Sequence, residues 1–510
     1  MKRNIDMLTE EPFDLLVLGG GITGAGVALD ATLRGLRVAL IDKGDFASGT
    51  SSISSKLVHG GLRYLEFGDL PLVYEALHER SLLLRNAPHL VHPLRFVLPF
   101  YRGARVPAWK WRAGLTLYDL LAGHGNIRRS RPLDRLRLAR EFPALRAESL
   151  SGGAEYHDAQ MDDARVCIEV VKTAAEHGAC VANYVEAIDF ERQGTLINGV
   201  RAVDHVTGRE LVIDARQVLN ATGPWVDAVC RMAGDSDEPH LRPTKGVHLV
   251  APGRGLTSAF LLLHPRDGRV FFVIPWLGKT LIGTTETEDD TPPDNVHATP
   301  EDVDYLLEGH NHYFSPPLLV KGLLGHFAGL RPLLRARPAE PSSLSREFHV
   351  FWSPSGLLTV AGGKYTTYRH MAEVITDAIV ARLGIRRRQR TRHQRLDGAP
   401  DGPWPVFRDR TVAALTKAGL KGSAASHLVH RYGRRAPEVV AYIERNAALA
   451  RPAHPDEPDL CAEFAYQRDH EMALFPADFL LRRTRIGLFH PDRLAASIGA
   501  LGTPDGVSPG

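Results

Sequence analysis

Residues 14–42 read DLLVLGGGITGAGVALDATLRGLRVALID. Asp14-Leu15-Leu16-Val17-Leu18 has the length and apolar continuity of a short buried strand. Gly19 to Gly26 follows, then a helical stretch through Arg34. Arg37-Val38-Ala39-Leu40-Ile41 is a second apolar strand and ends at Asp42. This is a βαβ unit, and Gly19-x-Gly21-x-x-Gly24 sits at its strand-to-helix turn. The first glycine permits the tight turn. The second lets backbone approach a pyrophosphate, and the third lets helix pack on strand. The helix N-terminus then offers unpaired N–H groups and a positive dipole end to phosphate. Asp42 lies about 20 residues further on, where a carboxylate can bind a ribose hydroxyl. An acid there favours a free 2′-hydroxyl, as in FAD or NAD, over a 2′-phosphate. The fingerprint alone leaves FAD and NAD both open.

Working outward, 510 residues are too many for one compact core and imply two to four domains. The chain is 44% hydrophobic and 24% charged, a globular composition. A formal charge of +3 gives no case for nucleic-acid binding by the whole chain. Cys167, Cys180, Cys230 and Cys461 stand singly, so neither a disulfide framework nor a zinc motif is expected, and no metal is assigned. Residues 1–13 lack the apolar core of a secretory signal. No stretch reaches the roughly 18 uninterrupted apolar residues of a spanning helix. The expected location is cytoplasmic, and any membrane contact is peripheral.

Ser48 to Lys56 is a Ser/Gly/Thr-rich loop by composition. Pro71 to Asn86 and Asp163 to His177 read as helices, with a strand at Cys180 to Tyr184. Val212 to Gly223 reads as one further strand and turn. Phe271–Ile274 and Thr280–Gly283 form a hairpin around Pro275 to Lys279. Arg386 to Arg390 is basic and Gly398 to Pro405 is Pro/Gly-rich, which places a linker at 386–405. The rest of the chain reads as mainly helical.

The choice of cofactor comes from Ser51 to Leu65, SSISSKLVHGGLRYL. With the fingerprint, this segment resembles the FAD-dependent glycerol-3-phosphate dehydrogenases, within the glutathione-reductase-like and amine-oxidase-like flavoproteins. Four stretches extend the resemblance: Met161-Asp162-Asp163-Ala164-Arg165, Asn220-Ala221-Thr222-Gly223-Pro224-Trp225, Gly329-Leu330-Arg331-Pro332-Leu333 and Gly362-Gly363-Lys364-Tyr365-Thr366-Thr367-Tyr368-Arg369. It covers nearly the whole chain to Arg369 and continues loosely beyond. It implies an α/β fold, α+β overall: a Rossmann-like FAD domain from 1–70, 150–240 and 325–385, a β-rich substrate domain from 71–149 and 241–324, and a helical domain at 406–510.

On this resemblance the cofactor is FAD, held by Gly19, Gly21, Gly24, Asp42, Ser51, Ser52, Ser54, Ser55, Lys56, Leu57, His59, Thr222, Gly223, Gly362, Gly363 and Lys364. Ser54, Ser55 and Lys56 offer hydroxyls and a cation beside the flavin. Thr359 to Lys364 reads as a strand entering a glycine turn, and the helix expected from Thr366 could stabilise negative charge on the reduced flavin. The implied substrate is glycerol 3-phosphate. Arginine clamps phosphate through bidentate, charge-assisted hydrogen bonds. Arg331 ranks first, ahead of Arg63 and Arg346, with Tyr64, Lys364 and Thr367 adding hydrogen bonds. A base with a pKa near the working pH points to histidine. His248, in Lys245-Gly246-Val247-His248, is the first candidate and His59 the second.

The resemblance implies a membrane quinone, the family's usual acceptor, as the destination of the electrons. Between Glu79 and Asp119 the chain has no acidic residue. That stretch carries Arg85, Arg95, Arg102, Arg105, Lys110 and Arg112 among Phe96, Phe100, Tyr101, Trp109 and Trp111, which suits an anionic lipid surface at the inner face of the cell membrane. A homodimer is compatible with the resemblance. The rival readings are a glycerol-3-phosphate oxidase, which uses oxygen, and another FAD-dependent amine or amino-acid oxidoreductase.

Overall fold

The computed structural model describes residues 1–235, 238–335 and 348–491, with the side chains of 66 and 67 left aside. Leu15–Leu18 pairs in parallel with Val38–Ile41, and Ile22–Leu33 forms the crossover helix between them. Around this unit a six-stranded sheet runs in the order Phe348–Trp352, Leu358–Gly362, Val218–Asn220, Leu15–Leu18, Val38–Ile41, Cys180–Ala182. Only the edge strand Phe348–Trp352 is antiparallel.

Both faces of the sheet are covered, which is why its strands read as unbroken apolar runs. Leu15, Val17, Val38 and Leu40 face helices Ile22–Leu33, Asp163–Glu176 and Tyr368–Arg382. Leu16, Leu18, Ala39 and Ile41 point the other way. They meet Val200, Ala202, Leu211 and Ile213 of a three-stranded antiparallel sheet formed by Val185–Gln193, Leu196–Asp204 and Arg209–Asp214.

The run Val212 to Gly223 was expected as one strand and turn; it is two strands in two sheets. Arg209–Asp214 alternates buried and exposed positions because one of its faces is open to water. Val218–Asn220 is buried throughout. The chain changes layer between them, with the buried Gln217 amide donating to the carbonyl of Gly356 at 2.9 Å.

A second, ten-stranded sheet carries the opposite wall of the molecule. Its central strands are Leu241–Pro252, Lys279–Gly283, Val270–Trp276, Ala259–Leu263, Val91–Tyr101 and Leu150–Met161, and Gly325–Leu334 pairs along Leu241–Pro252. The expected hairpin is present, turning at Leu277 and Gly278. The loop after Val38–Ile41 crosses from the first sheet to the second, where Leu57–Val58 forms an edge.

The stretch expected as a linker at 386–405 ends two residues early, because the helix Trp404–Lys417 has already begun; residues 386–403 carry no β-strand or α-helix, but they are held. Thr391 donates to Asp30 at 3.0 Å, Leu396 N to the carbonyl of Asn86 at 2.9 Å, and Gly398 N to Glu169 at 2.8 Å. Proline and glycine here mark irregular backbone rather than a free tether. Beyond them lie Trp404–Lys417, Gly422–Tyr432, Ala436–Arg445 and Cys461–Glu471, packed around Leu428, Val429, Tyr432, Val439 and Tyr466.

This helical unit is joined to the first by buried ion pairs. Glu471 receives Arg165 at 2.8 Å and Lys172 at 3.3 Å. Lys172 reaches Asp397 at 3.1 Å, and Arg483 reaches Asp45 at 3.0 Å. Burial opposes the ionisation of Glu471, but Arg165 and then Lys172 outweigh it and hold the carboxyl well below the usual carboxylate range. Removing one member of a buried pair strands the other charge, at a cost of about 3–5 kcal/mol. Glu471→Gln is therefore expected to lower the urea midpoint by that amount of stability. With a depressed folded pKa, the contribution of Glu471 is complete above about pH 4.3 and fades as pH falls. A midpoint for Glu471→Gln equal to wild type at neutral pH would count against this reading.

Candidate active site

A cavity of 690 Å³ opens at the carboxyl ends of Leu15–Leu18, Val38–Ile41 and Val218–Asn220, the crevice where open parallel sheets bind ligands. It extends along Ser48 to Ser55 and ends between Arg63, in the 3₁₀ helix Leu62–Phe67, and His248 and Arg331 on the ten-stranded sheet.

The dinucleotide end is built by missing side chains. Gly19 has φ +105°, and a Cβ there would lie 2.7 Å from the carbonyl oxygen of Ala221. A Cβ on Gly24 would lie 1.9 Å from the carbonyl oxygen of Gly19. Gly24 thus acts behind the cavity, while Gly19 and Gly21 line it. Asp42 lines it as well, its oxygens receiving Gly20 N at 2.6 Å and Gly44 N at 2.8 Å. Burial raises its pKa to about 6 against those two N–H groups. Ser51 Oγ accepts from Ile22 N at 2.8 Å, which places that hydroxyl at the helix N-terminus. Thr222 and Gly223 face the same space, Gly223 at φ +59°. Gly20 packs against Phe46, and the cradle leaves backbone rather than side chain facing the cavity. Such a surface fits the pyrophosphate and ribose of FAD.

The middle of the cavity is lined by Ser54, Ser55, Leu57, His59 and the turn Gly362-Gly363-Lys364. Burial lowers the His59 imidazole to about 4, so the ring is neutral. Gly362 and Gly363 take φ +83° and +107°, and a 3₁₀ turn at Tyr365–Thr367 precedes the helix Tyr368–Arg382. The α-helix therefore starts two residues later than the expected Thr366. Its predecessor Thr367 is buried with its hydroxyl toward the carbonyl of Lys364 at 3.4 Å, behind the lining.

Lys56 and Ser52 also differ from expectation. Lys56 is fully buried, and its Nζ lies 2.8 Å from both oxygens of Asp163 and 2.5 Å from the carbonyl of Ser52. An ammonium removed from water needs a carboxylate, and Asp163 supplies it from behind the loop. Burial still lowers the Lys56 pKa to about 8, with Asp163 opposing. Its backbone is left-handed, φ +61°. The Ser52 hydroxyl donates back to Gly49 at 3.4 Å. Neither lines the cavity.

At the substrate end, Arg331 lies on Gly325–Leu334 and His248 on the neighbouring Leu241–Pro252. Gly246 makes room for the guanidinium: a Cβ there would be 2.5 Å from Arg331 Nη2. Gly283, paired opposite His248, does the same for the imidazole, with a distance of 2.3 Å. Lys245 points away, to Asp302 at 3.0 Å and Asp289 at 3.3 Å. Arg331 donates to Thr284 Oγ1 at 2.7 Å and to the carbonyl of Thr285 at 3.2 Å. Burial lowers its pKa. Arg63 is 3.7 Å from Glu286, and Lys364 Nζ sits 3.9 Å from the Tyr64 ring centre. Burial raises the Tyr64 phenol, yet Arg63 and Lys364 outweigh it and lower its pKa overall. His248 Nε2 is 2.8 Å from Ser55 Oγ, and the ring stacks on Phe327 at 4.9 Å. Burial first, then Arg331 and Lys56, hold its pKa well below the ordinary histidine value.

Arg63 and Arg331 thus share one carboxylate, Glu286, and Lys364 joins them across the Tyr64 ring, so three cations line the cavity with Glu286. Arg346 falls outside the described residues. The sequence reading missed Thr50, Thr284, Glu286 and Thr366, all of which line the cavity. The signal for two of these was the run Gly283-Thr284-Thr285-Glu286, an acid and hydroxyls just past a strand end.

The family model for FAD dependent oxidoreductases matches residues 14–369. The chain belongs to that family, is an oxidoreductase, and uses FAD as its cofactor. A second model, the C-terminal domain of alpha-glycerophosphate oxidase, matches residues 389–501. The chain is similar to the aerobic glycerol-3-phosphate dehydrogenase of Staphylococcus haemolyticus, 37% identical over 94% of this chain and 87% of that one. It is also similar to the mitochondrial glycerol-3-phosphate dehydrogenase of Macaca fascicularis, 38% identical over 94% of this chain and 68% of that one. The crystal structure of the Bacillus halodurans glycerol-3-phosphate dehydrogenase complexed with FAD superposes with a TM-score of 0.82 at 32% identity, covering 98% of this chain and 90% of that one.

Proposed function

We propose that this protein oxidises sn-glycerol 3-phosphate to dihydroxyacetone phosphate and delivers the electrons to a membrane quinone. The observation that carries the reading is the meeting of Arg63, Arg331 and Lys364 with His248 at one end of a cavity whose other end is the glycine cradle. A phosphate monoester brings nearly two negative charges, and three cations against Glu286 leave two positive charges to receive it. An amino acid would instead bring an ammonium group toward those cations, which disfavours the amine-oxidoreductase reading.

Arg331 is held in place by Thr284 and Thr285, so its fork is oriented before substrate arrives. The imidazole of His248 is neutral and so free to take the proton of the substrate hydroxyl, although burial moves it below the working-pH value expected of the base. FAD, when bound, supplies the acceptor for the hydride from the same carbon. The buried site disfavours the imidazolium so formed, so His248 gives the proton up again rather than keeping it. Ser55 and Phe327 hold the ring for both transfers. The naming of the Staphylococcus and Macaca relatives as dehydrogenases supports a quinone over oxygen.

Peripheral attachment is supported by the helix Ala108–Ala122. Trp109 is 71% exposed and Leu120 72% exposed. Eleven residues apart, they lie within about 20° of each other around the helix axis. Leu115 and Tyr118 are buried on the far side. Lys110 and Arg112 flank the apolar face. The basic stretch contributes less than its composition implied, because Phe96 and Phe100 are core and Arg95 is paired with Glu141 at 2.7 Å. Among the described residues no helix is long and apolar enough to cross a membrane.

Arg331→Ala is expected to raise the KM for glycerol 3-phosphate by roughly 100-fold, the loss of a charge-assisted pair worth about 3 kcal/mol, with flavin content unchanged. An unaltered KM would remove Arg331 from the phosphate clamp. The double variant Trp109→Ala, Leu120→Ser is expected to shift the protein from pelleted anionic vesicles to the supernatant. Equal pelleting by both forms would refute attachment through this helix.

A further inference from the structure

Among the described residues none beyond Thr366 lines the cavity, yet the C-terminal helices reach it through one carboxylate. Asp163 is fully buried. It receives Arg485 Nη2 at 3.0 Å from the C-terminal unit. From the loop it receives Lys56 Nζ at 2.8 Å, Ser54 Oγ at 2.7 Å and Ser54 N at 3.0 Å. Arg485 also pairs with Asp162 and is itself fixed by the carbonyl of Leu481 at 2.6 Å. The motif 161–165 therefore serves neither cofactor nor substrate directly. Two of its carboxylates meet Arg485, and its Arg165 meets Glu471.

What Asp163 holds is the loop that holds the imidazole. Ser54 and Lys56 are both hung from it, and Ser55 between them places its hydroxyl 2.8 Å from His248 Nε2. Lys56 Nζ lies 5.0 Å from the Phe327 ring centre, the ring on which His248 stacks. Both contacts that orient His248 thus depend on groups bound to Asp163. Lys56 adopts a left-handed backbone that surrounding contacts must maintain.

We propose that Arg485 is a positioning residue for alcohol oxidation: by fixing Asp163 it sets the Ser54–Lys56 loop, and through Ser55 the imidazole of His248. This rests on the reading of His248 as the base. The C-terminal unit then contributes to the chemical step without touching substrate, and its docking and the order of the base are one event. A clip that only joined two domains would affect stability and flavin content, but not the rate at which flavin already bound is reduced.

The test uses the full-length, flavin-loaded protein, mixed anaerobically with glycerol 3-phosphate in a stopped-flow instrument. Arg485→Met is expected to lower the limiting rate of flavin reduction on the order of 10- to 100-fold, the effect of displacing a catalytic group by an ångström or less. The apparent substrate Kd stays within about threefold of wild type, because the phosphate clamp is untouched. Arg485→Lys recovers part of the rate. Ser55→Ala lowers the rate as well, and adding Arg485→Met to it costs less than about threefold more, since both act through one contact. Arg435→Met, which breaks the pairs with Asp397 and Glu176, lowers the melting temperature but keeps the wild-type rate. Should Arg485→Met fail to hold flavin, Arg485→Gln replaces it with the same expectations. A wild-type rate in Arg485→Met or its substitute, or effects that multiply fully with Ser55→Ala, would overturn the proposal. A wild-type flavin that the substrate does not reduce would overturn the proposed function first, and this inference with it.

Discussion

The carbonyl oxygen of Gly19 occupies the space that a side chain on residue 24 would fill, 1.9 Å from the ideal Cβ position. That contact lets the helix Ile22–Leu33 start directly against the strand Leu15–Leu18. The parallel pairing, the crevice at the strand ends and the reach of Asp42 to Gly20 all follow from it. The same device recurs much later in the chain, on the other sheet, where Gly246 and Gly283 admit the side chains of Arg331 and His248. Both ends of the cavity are thus shaped by glycines that let another group lie flat against backbone, one fitting a dinucleotide and the other the proposed phosphate clamp.

Electrostatics separates the structural cations from the functional ones. Arg165, Arg431 and Arg483 are buried against carboxylates, which keeps an interior guanidinium tolerable. Arg331 is held by the neutral oxygens of Thr284 and Thr285. A guanidinium so placed is oriented yet keeps its attraction for an incoming phosphate. The histidine beside it stays neutral chiefly because it is buried, with Arg331 and Lys56 adding to the effect, and neutral is the state the proposed base requires. In the proposed reaction, one buried arrangement serves both binding and proton transfer.

What could be read from the sequence was local. The βαβ unit, its glycines, the hairpin at Leu277 and Gly278 and the helix Leu70–Asn86 depend on residues close in the chain, and their periodicity or turn chemistry showed them. Lys56 was misplaced because nothing near it marks Asp163, 107 residues on, as its buried partner. Arg485 lies 322 residues from the same carboxylate. The run from Val212 to Gly223 was read as one element because an apolar stretch does not announce that it changes sheet. Glu286 was overlooked although its sequence neighbours, hydroxyls at a strand end, resemble those of a site. Polar networks closed over such separations leave no period in the sequence, and here they connect the helical C-terminal unit to the chemistry.

Anaerobic addition of glycerol 3-phosphate to the purified, FAD-loaded protein tests the central claim most directly. The account expects the oxidised-flavin absorbance to bleach stoichiometrically, with one dihydroxyacetone phosphate formed per flavin and recovery on adding a soluble quinone analogue. Absorbance unchanged at saturating substrate, in protein that still bleaches with dithionite, would contradict it.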